Sequence, residues 1–239
     1  MSIVPQLIVN SIIAGSIYSL VVLGFNLIYG TTKFFNLAHG VLTAVGGYTV
    51  FYVSQKLGWH IVAGIILGVL VSGLIGYLLD KGIFLQLRKR KASSMVLLVA
   101  ALGIMTALQA VIAILFTSQF QTLSSGMETK VYDIFGGVIT NIQLVILISV
   151  IIIMFGLGIL LKYTKFGKAV RAVSDDETVA KIVGINTDKV ISAIFVIGSA
   201  IAGYAGIMVG LDTGIEPTMG LSLLLKGVIA AIIGGVGRI

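Results

Sequence analysis

Residues 142–161 read IQLVILISVIIIMFGLGILL, an apolar run without a charged side chain. A helix needs roughly 20 such residues to cross a hydrocarbon core of about 30 Å, so this run has the length of a membrane span. Similar runs occupy residues 4–29, 60–79, 93–117, 190–211 and 220–236. The pattern predicts a bundle of transmembrane helices.

Composition indicates the same class for the whole chain. Of its 239 residues, 58% are hydrophobic and only 10% are charged, whereas about 25% of residues are charged in soluble domains. The chain contains no cysteine, which excludes disulfides and thiolate metal sites. We therefore predict an all-α, polytopic membrane protein with one transmembrane domain over residues 1–239.

The region between residues 33 and 54 allows two interpretations. Its apolar part is short for a span, and Lys33, Asn36 and His39 precede it. It is either one full span with polar residues at one end, or a re-entrant or broken helix. We favour the span, because Lys33 then lies on the cytoplasmic side and the amino terminus outside. With this region included, the chain has about seven membrane segments.

Positive charge is concentrated in two stretches between spans. Residues 80–92 and 162–189 hold 11 of the 16 basic residues, which is the pattern of cytoplasmic loops. The formal net charge of +7 therefore reflects membrane topology rather than nucleic-acid binding. The polar but nearly charge-balanced segment 118–141 is predicted to be external.

The longest polar run is KYTKFGKAVRAVSDDETVAKIVGINTDK, residues 162–189. Within it, Ser174–Glu177 has the form of a capping box, and Gly184 is typical of a left-handed helix stop. Either residue of the pair Asn186–Thr187 can cap the next helix. The sequence predicts a short helix over Asp175–Val183, held between two membrane helices. Such a helix is either a docking element or part of a solvated loop.

Small residues recur at every fourth position in two of the spans. Such rows let helix backbones approach closely, which favours packing within one chain over a subunit interface. The first row is Gly64, Gly68, Ser72 and Gly76, and the second is Gly198, Ala202, Gly206 and Gly210.

The sequence contains no recognisable catalytic arrangement. Phosphate-binding loops, zinc-binding helices and nucleophile turns are all absent. His39 has no second histidine or carboxylate nearby in sequence, which favours a packed histidine over a proton relay. Lys226 lies inside the last span, where a charged side chain either snorkels to the interface or lines a cavity.

Three blocks of the sequence resemble a known family. The first, GSIYSLVVLGFNLIYGTTKFFNLAHGVLTAVGGY, covers Gly15–Tyr48. The second, GKAVRAVSDDETVAKIVGIN, covers Gly167–Asn186, and the third, AIAGYAGIMVGLDTGIEPTMGLSLLLKGVIAAIIGGVG, covers Ala200–Gly237. In this order they resemble the permease subunits of branched-chain amino acid ABC transporters.

The resemblance implies a type II importer permease in a bacterial or archaeal cytoplasmic membrane. It would pair with a second, homologous permease and stand on two cytoplasmic ATPase subunits. An external substrate-binding protein would deliver leucine, isoleucine or valine. Membrane lipid would surround the chain. The chain would contain no catalytic residue and would bind no cofactor, metal or nucleic acid.

The resemblance also assigns roles to individual residues. The loop at 162–189 is similar to the family's coupling loop, which docks on the ATPase. The residues that match the coupling pattern are Arg171, Asp175, Glu177, Ala180, Gly184 and Asn186. Asn36 and His39 match the amino-terminal motif and, with Lys226, are the candidates for a translocation path.

One departure and two alternatives accompany the resemblance. In the family, the GGVG motif found here at residues 234–237 is followed by further hydrophobic helices, so we expect a chain shortened at its carboxy terminus. Urea or short amides are an alternative cargo within the family. An ATP-independent channel or secondary transporter is the alternative outside it.

Overall fold

The computed structural model describes residues 3–124, 130–134 and 136–234, which form helices and one small hairpin. Two π-helical turns, Tyr52–Lys56 and Asp80–Phe84, follow the second and third helices without a break. The strands β1 (Val131–Ile134) and β2 (Gly137–Thr140) pair antiparallel. The helices are α1 (Ile3–Thr32), α2 (Ala38–Phe51), α3 (Ile61–Leu79), α4 (Leu85–Lys89), α5 (Ser94–Phe116), α6 (Asn141–Tyr163), α7 (Lys165–Asp175), α8 (Glu177–Ile182), α9 (Thr187–Asp212) and α10 (Met219–Gly234).

Within the described residues, five helical segments are long and apolar enough to cross a membrane. They are α1, the continuous segment Ile61–Lys89, α5, α6 and α9. The apolar helix α10 is shorter, with 16 described residues, and α2 has 14 residues before its π-helical turn. The predicted transmembrane bundle is confirmed, and about seven segments is an approximate count. The predicted shortening of the carboxy terminus concerns residues beyond 234, outside the described part.

The helices α9 and α2 form the centre of the bundle. In the most apolar window of α9, 72% of residues are buried, compared with 17–28% in the other four long segments. Every residue of α2 from Ala38 to Tyr48 is buried. The remaining helices therefore pack around this pair and present their other faces outward.

Glycine makes this central packing close enough for backbones to touch. A Cβ atom added at Gly206 would overlap the carbonyl of Thr43, and one added at Gly46 would overlap the backbone of Gly203. The hydroxyl of Ser72, on α3, donates a hydrogen bond to the Leu42 carbonyl on α2 (3.3 Å). Both predicted small-residue rows thus pack inside the chain, which confirms the intrachain interpretation.

Paired contacts along the helices give their directions. Gly68 of α3 lies against Ile207 of α9 and Gly76 against Ser199, so these helices are antiparallel. Gly64 of α3 lies against Val50, near the end of α2, whereas Ser72 of α3 bonds to Leu42, near the start of α2. The helices α2 and α3 are therefore also antiparallel. The helix α2 consequently runs from the side where α1 ends to the opposite side, as the spanning interpretation requires.

The start of α2 differs from the prediction. The helix begins at Ala38 rather than at residue 33, and Lys33 has a left-handed backbone with φ +55°. Residues 33–37 turn inward because Phe34 is buried, with its ring 5.1 Å from the ring of Phe84. His39 contacts Gly24, eight residues before α1 ends, so α2 starts about 12 Å inside the bundle.

The two ends of the bundle differ in charge. Both basic stretches lie at one end, where Lys89 and Asp188 form a salt bridge of 3.8 Å. The opposite end carries the β1–β2 hairpin, which is fixed to α1 by two hydrogen bonds between the Gln6 side chain and the Val138 backbone (3.1 and 2.8 Å). The positive-inside rule makes the basic end cytoplasmic and the hairpin end external.

The close contact at Gly206 predicts a large effect of a very small substitution. We expect Gly206→Ala to lower the free energy of unfolding by about 1–3 kcal/mol, because the new methyl group overpacks the contact with α2. The measurement is reversible unfolding in mixed micelles. Gly156→Ala on α6 is the control, since nothing lies within 4 Å of its added Cβ and helix propensity favours alanine by up to about 1 kcal/mol. Equal stability of the two variants would contradict the packing described here.

Candidate functional site

The cytoplasmic loop between α6 and α9 is a folded platform. Its first helix, α7, is capped by Thr164, whose hydroxyl accepts from the Gly167 amide (3.0 Å). The guanidinium of Arg171 donates to the Leu161 carbonyl at the end of α6. Ser174 donates to the Gly30 carbonyl near the end of α1 (2.8 Å). These bonds fix α7 across the cytoplasmic ends of α1 and α6.

The predicted capping box at Ser174–Glu177 is wrong. Ser174 lies inside α7, and its hydroxyl is occupied by the bond to α1. The cap of α8 is Asp176 instead, whose carboxylate accepts from the amides of Thr178 (2.7 Å) and Val179 (3.0 Å). The short helix therefore covers Glu177–Ile182 rather than residues 175–183.

The other end of α8 follows the prediction. Gly184 has φ +87°, the left-handed conformation of a helix stop. Asn186 caps α9 by accepting from the Lys189 amide (3.0 Å). The carboxylate of Glu177 accepts from Lys181 (2.7 Å) and from the Thr187 hydroxyl (3.3 Å). Glu177 thus joins the start of α8 directly to the start of α9.

The outward face of α8 is apolar although it lies outside the membrane spans. Val179, Ile182 and Val183 are 54%, 79% and 68% exposed, whereas Ala180 is buried at 2%. Exposed apolar patches occur at protein–protein and at membrane interaction sites. Sequence reasoning missed these three residues, although their spacing of three and four positions was the available signal.

A buried ion pair supports the platform from the side of α3. Asp80 is fully buried, and its carboxylate accepts from Arg88 (2.6 Å) and from the Ser192 hydroxyl on α9 (2.6 Å). The Lys89–Asp188 salt bridge lies on the adjacent turn of the same two helices. The cytoplasmic end of α9 is therefore tied both to α8 and to the segment Ile61–Lys89. Sequence reasoning missed this connection, because residues far apart in sequence make it.

Asn36 and His39 lie in the interior rather than on an accessible surface. They are 2% and 0% exposed. The His39 ring contacts Gly24 and lies 6.4 Å from the Phe25 ring. Their placement at the start of α2 agrees with packing, and a role in translocation stays a prediction.

Lys226 lies away from Asn36 and His39, on the exposed side of α10. Its ammonium group is 5.9 Å from the centre of the Tyr18 ring. It borders a recess of about 330 Å³ between α1, α6, α9 and α10. Asp212 borders the same recess and accepts a hydrogen bond from Gln143 (3.0 Å). Of the three candidate path residues, Lys226 lines this recess, and Asn36 and His39 do not.

Comparison with known proteins identifies the family. The family profile described as "Branched-chain amino acid transport system / permease component" matches residues 7–239. The chain belongs to this family. The match covers the bundle, the platform and the recess together, so the permease assignment applies to the whole described structure.

Individual relatives agree with the family match. The permease is 31% identical to the high-affinity branched-chain amino acid transport system permease protein LivH of Escherichia coli K12, over 98% of this chain and 80% of the relative. It is 27% identical to the corresponding protein BraD of Pseudomonas aeruginosa over the same shares. A probable LivH of Methanocaldococcus jannaschii is 30% identical, over 96% of this chain and 74% of the relative. No solved structure matches the chain.

The ion pair at Asp80 predicts a large loss of stability when one partner is removed. We expect Arg88→Met to lower the free energy of unfolding by about 3–5 kcal/mol, since the buried carboxylate is left without its cation. The double variant Asp80→Asn with Arg88→Met should recover part of that loss. Unfolding in mixed micelles measures both. Lys181→Met, which breaks an exposed pair worth about 0.3–0.5 kcal/mol, is the control, and an equal loss there would refute the prediction.

Proposed function

We propose that this permease translocates leucine, isoleucine and valine across the cytoplasmic membrane, using ATP that separate subunits hydrolyse. The observation that carries the proposal is the family match over residues 7–239. The relatives named for high-affinity branched-chain amino acid transport support the cargo. The chain acts as a conduit and carries no catalytic role of its own.

The complete transporter, in this proposal, contains four further proteins. A second, homologous permease pairs with this one in the membrane. Two ATPase subunits bind the cytoplasmic platform, and an external substrate-binding protein delivers the cargo at the hairpin end. The apolar patch of Val179, Ile182 and Val183 supports an ATPase contact, because it is exposed at the basic end of the bundle.

The connections of α8 suggest how ATP hydrolysis reaches the membrane helices. Glu177 joins α8 to the start of α9, and α7 joins the platform to α1 and α6. Because α9 contacts α2 through glycine backbones, a displacement of α8 moves packed helices as rigid bodies. Of the coupling residues, Arg171, Ala180 and Asn186 then hold the platform together, while Glu177 and Gly184 fix the ends of α8. Asp175 is exposed at the end of α7.

The proposal predicts an ATPase-dependent activity. When the permease is expressed with the proteins of its own operon, two ATPase subunits should co-purify in mild detergent. Proteoliposomes of the complex should accumulate labelled leucine only with ATP inside and the binding protein outside. Uptake without ATP would favour the channel or secondary-transporter alternative. ATP-driven uptake of urea or acetamide without leucine would favour the alternative cargo.

Variants of α8 should either weaken ATPase binding or uncouple ATP hydrolysis from amino-acid uptake. We expect Ile182→Asn to reduce ATPase co-purification at least tenfold, because it places an amide in the apolar patch. Glu177→Lys and Gly184→Val should retain membrane insertion and ATP hydrolysis but lose uptake, since they detach or strain the ends of the helix.

The control for these variants is Lys91→Asn, on the exposed turn after α4. Its left-handed backbone (φ +53°) tolerates asparagine. Uptake and ATPase binding at the wild-type level in the α8 variants would refute the coupling role of this helix.

A further inference from the structure

The recess beside Lys226 combines charged, polar and aliphatic surfaces. Lys226 and Asp212 contribute opposite charges, and Asn10, Gln143 and Tyr18 contribute polar groups. The aliphatic part consists of Ile13, Ile17, Val209 and Leu223. Its volume of about 330 Å³ lies at the lower end of the range for small-molecule sites, about 300–1,000 Å³.

The two charges of the recess do not neutralise each other. Among the described residues, the Lys226 ammonium forms no salt bridge, and its contact is the Tyr18 ring. Asp212 accepts from the neutral amide of Gln143 instead. The recess therefore presents one cationic and one anionic group that are not paired with each other.

The depth of Lys226 indicates water rather than lipid in front of it. It lies seven residues after the start of α10, or about 10 Å along the helix axis. A cation and several polar groups at that depth face a cavity or a partner surface, because exposing them to hydrocarbon is costly. The recess gives Lys226 a polar cavity of this kind within the chain itself.

A second recess adjoins the first one, and we call it the outer recess. It has about 320 Å³ and shares the lining residues Val209, Thr213 and Leu223 with the first. It also contains Glu216, in the segment between α9 and α10. The carboxylates of Asp212 and Glu216 therefore both lie near the end of α9, on the external side of Lys226.

We propose that this recess is a binding site for a zwitterionic aliphatic amino acid on its way through the permease. Asp212 binds the ligand's ammonium group and Lys226 its carboxylate, while Ile13, Ile17 and Leu223 contact the branched side chain. This inference rests on the proposed function, because it gives the imported cargo a site within the chain. It also makes Lys226 and Asp212 the residues that determine specificity for zwitterions.

The absence of cysteine from the sequence allows a direct test. Thr213→Cys places a thiol where the two recesses meet. In right-side-out vesicles with the full transporter and no binding protein, a membrane-impermeant methanethiosulfonate should modify it, and L-leucine should slow the reaction. Ser222→Cys, in the outer recess, is the second labelling position. Lys56→Cys, an exposed position outside both recesses, should react without protection.

Two leucine analogues separate the charges. 4-Methylpentanoate lacks the ammonium group, and 3-methylbutylamine lacks the carboxylate. The concentration that gives half-protection of the thiol should be at least tenfold higher for each analogue than for leucine. Lys226→Met should raise the half-protecting concentration of leucine at least tenfold, and should leave the half-protecting concentration of 3-methylbutylamine unchanged. Asp212→Asn should also raise the half-protecting concentration of leucine at least tenfold, and should leave that of 4-methylpentanoate unchanged. Thiol reactivity without ligand should stay within twofold, as expected for a folded variant.

The outcomes separate this inference from the function on which it rests. An unreactive thiol at both positions, no protection by leucine, or protection by either analogue as strong as that by leucine overturns the site. If ATP-driven leucine uptake by the wild-type complex persists in that case, the proposed function stands without it. If the wild-type complex takes up no branched-chain amino acid, the proposed function fails and the site fails with it.

Discussion

Backbone contact between α9 and α2 is the constraint on which the rest of the structure depends. The two helices meet where Gly206 faces the Thr43 carbonyl and Gly46 faces Gly203. Apolar side chains gain little by leaving lipid for protein, so a membrane bundle depends on close packing. With α9 and α2 fixed against each other, α3 and α1 have defined grooves to occupy. The positions of both the platform and the recess follow from this arrangement.

The two ends of α9 connect the cytoplasmic platform with the external recess. At its start, Asn186 caps the helix, and Thr187 and Ser192 bond to Glu177 and Asp80. At its end, Asp212 forms one side of the recess. Because the helix between them is tightly packed, a displacement at one end is transmitted as a rigid movement rather than absorbed. In the proposed function, the same helix thus links the ATPase contact to the cargo site.

Sequence reasoning predicted what depends on local composition. The spans, the basic end, the left-handed Gly184 and the cap at Asn186 follow from hydropathy, charge and helix-end chemistry. It failed where a distant residue competes for a local group. Ser174 had the right spacing for a capping box, but Gly30 on another helix takes its hydroxyl. A capping box does occur at Thr140 and Gln143, because the distant Asp212 takes only the amide nitrogen of Gln143 and leaves its oxygen for the cap. The Asp80–Ser192 bond and the recess could be recognised only in the three-dimensional structure, because their residues come from separate helices.

The location of the Asp80–Arg88 pair has a consequence for biogenesis. Both residues belong to one continuous helical segment, Ile61–Lys89, which is synthesised about a hundred residues before α9. A carboxylate that waited for a partner on α9 would stand unpaired where the segment meets the cytoplasmic edge of the bilayer, where a lone charge in contact with lipid is costly. Because Arg88 follows Asp80 on the same segment, the charges neutralise each other as soon as that segment is inserted. Ser192 then adds its hydrogen bond when α9 arrives, so the nascent chain can pause between the two events without exposing an uncompensated charge to lipid.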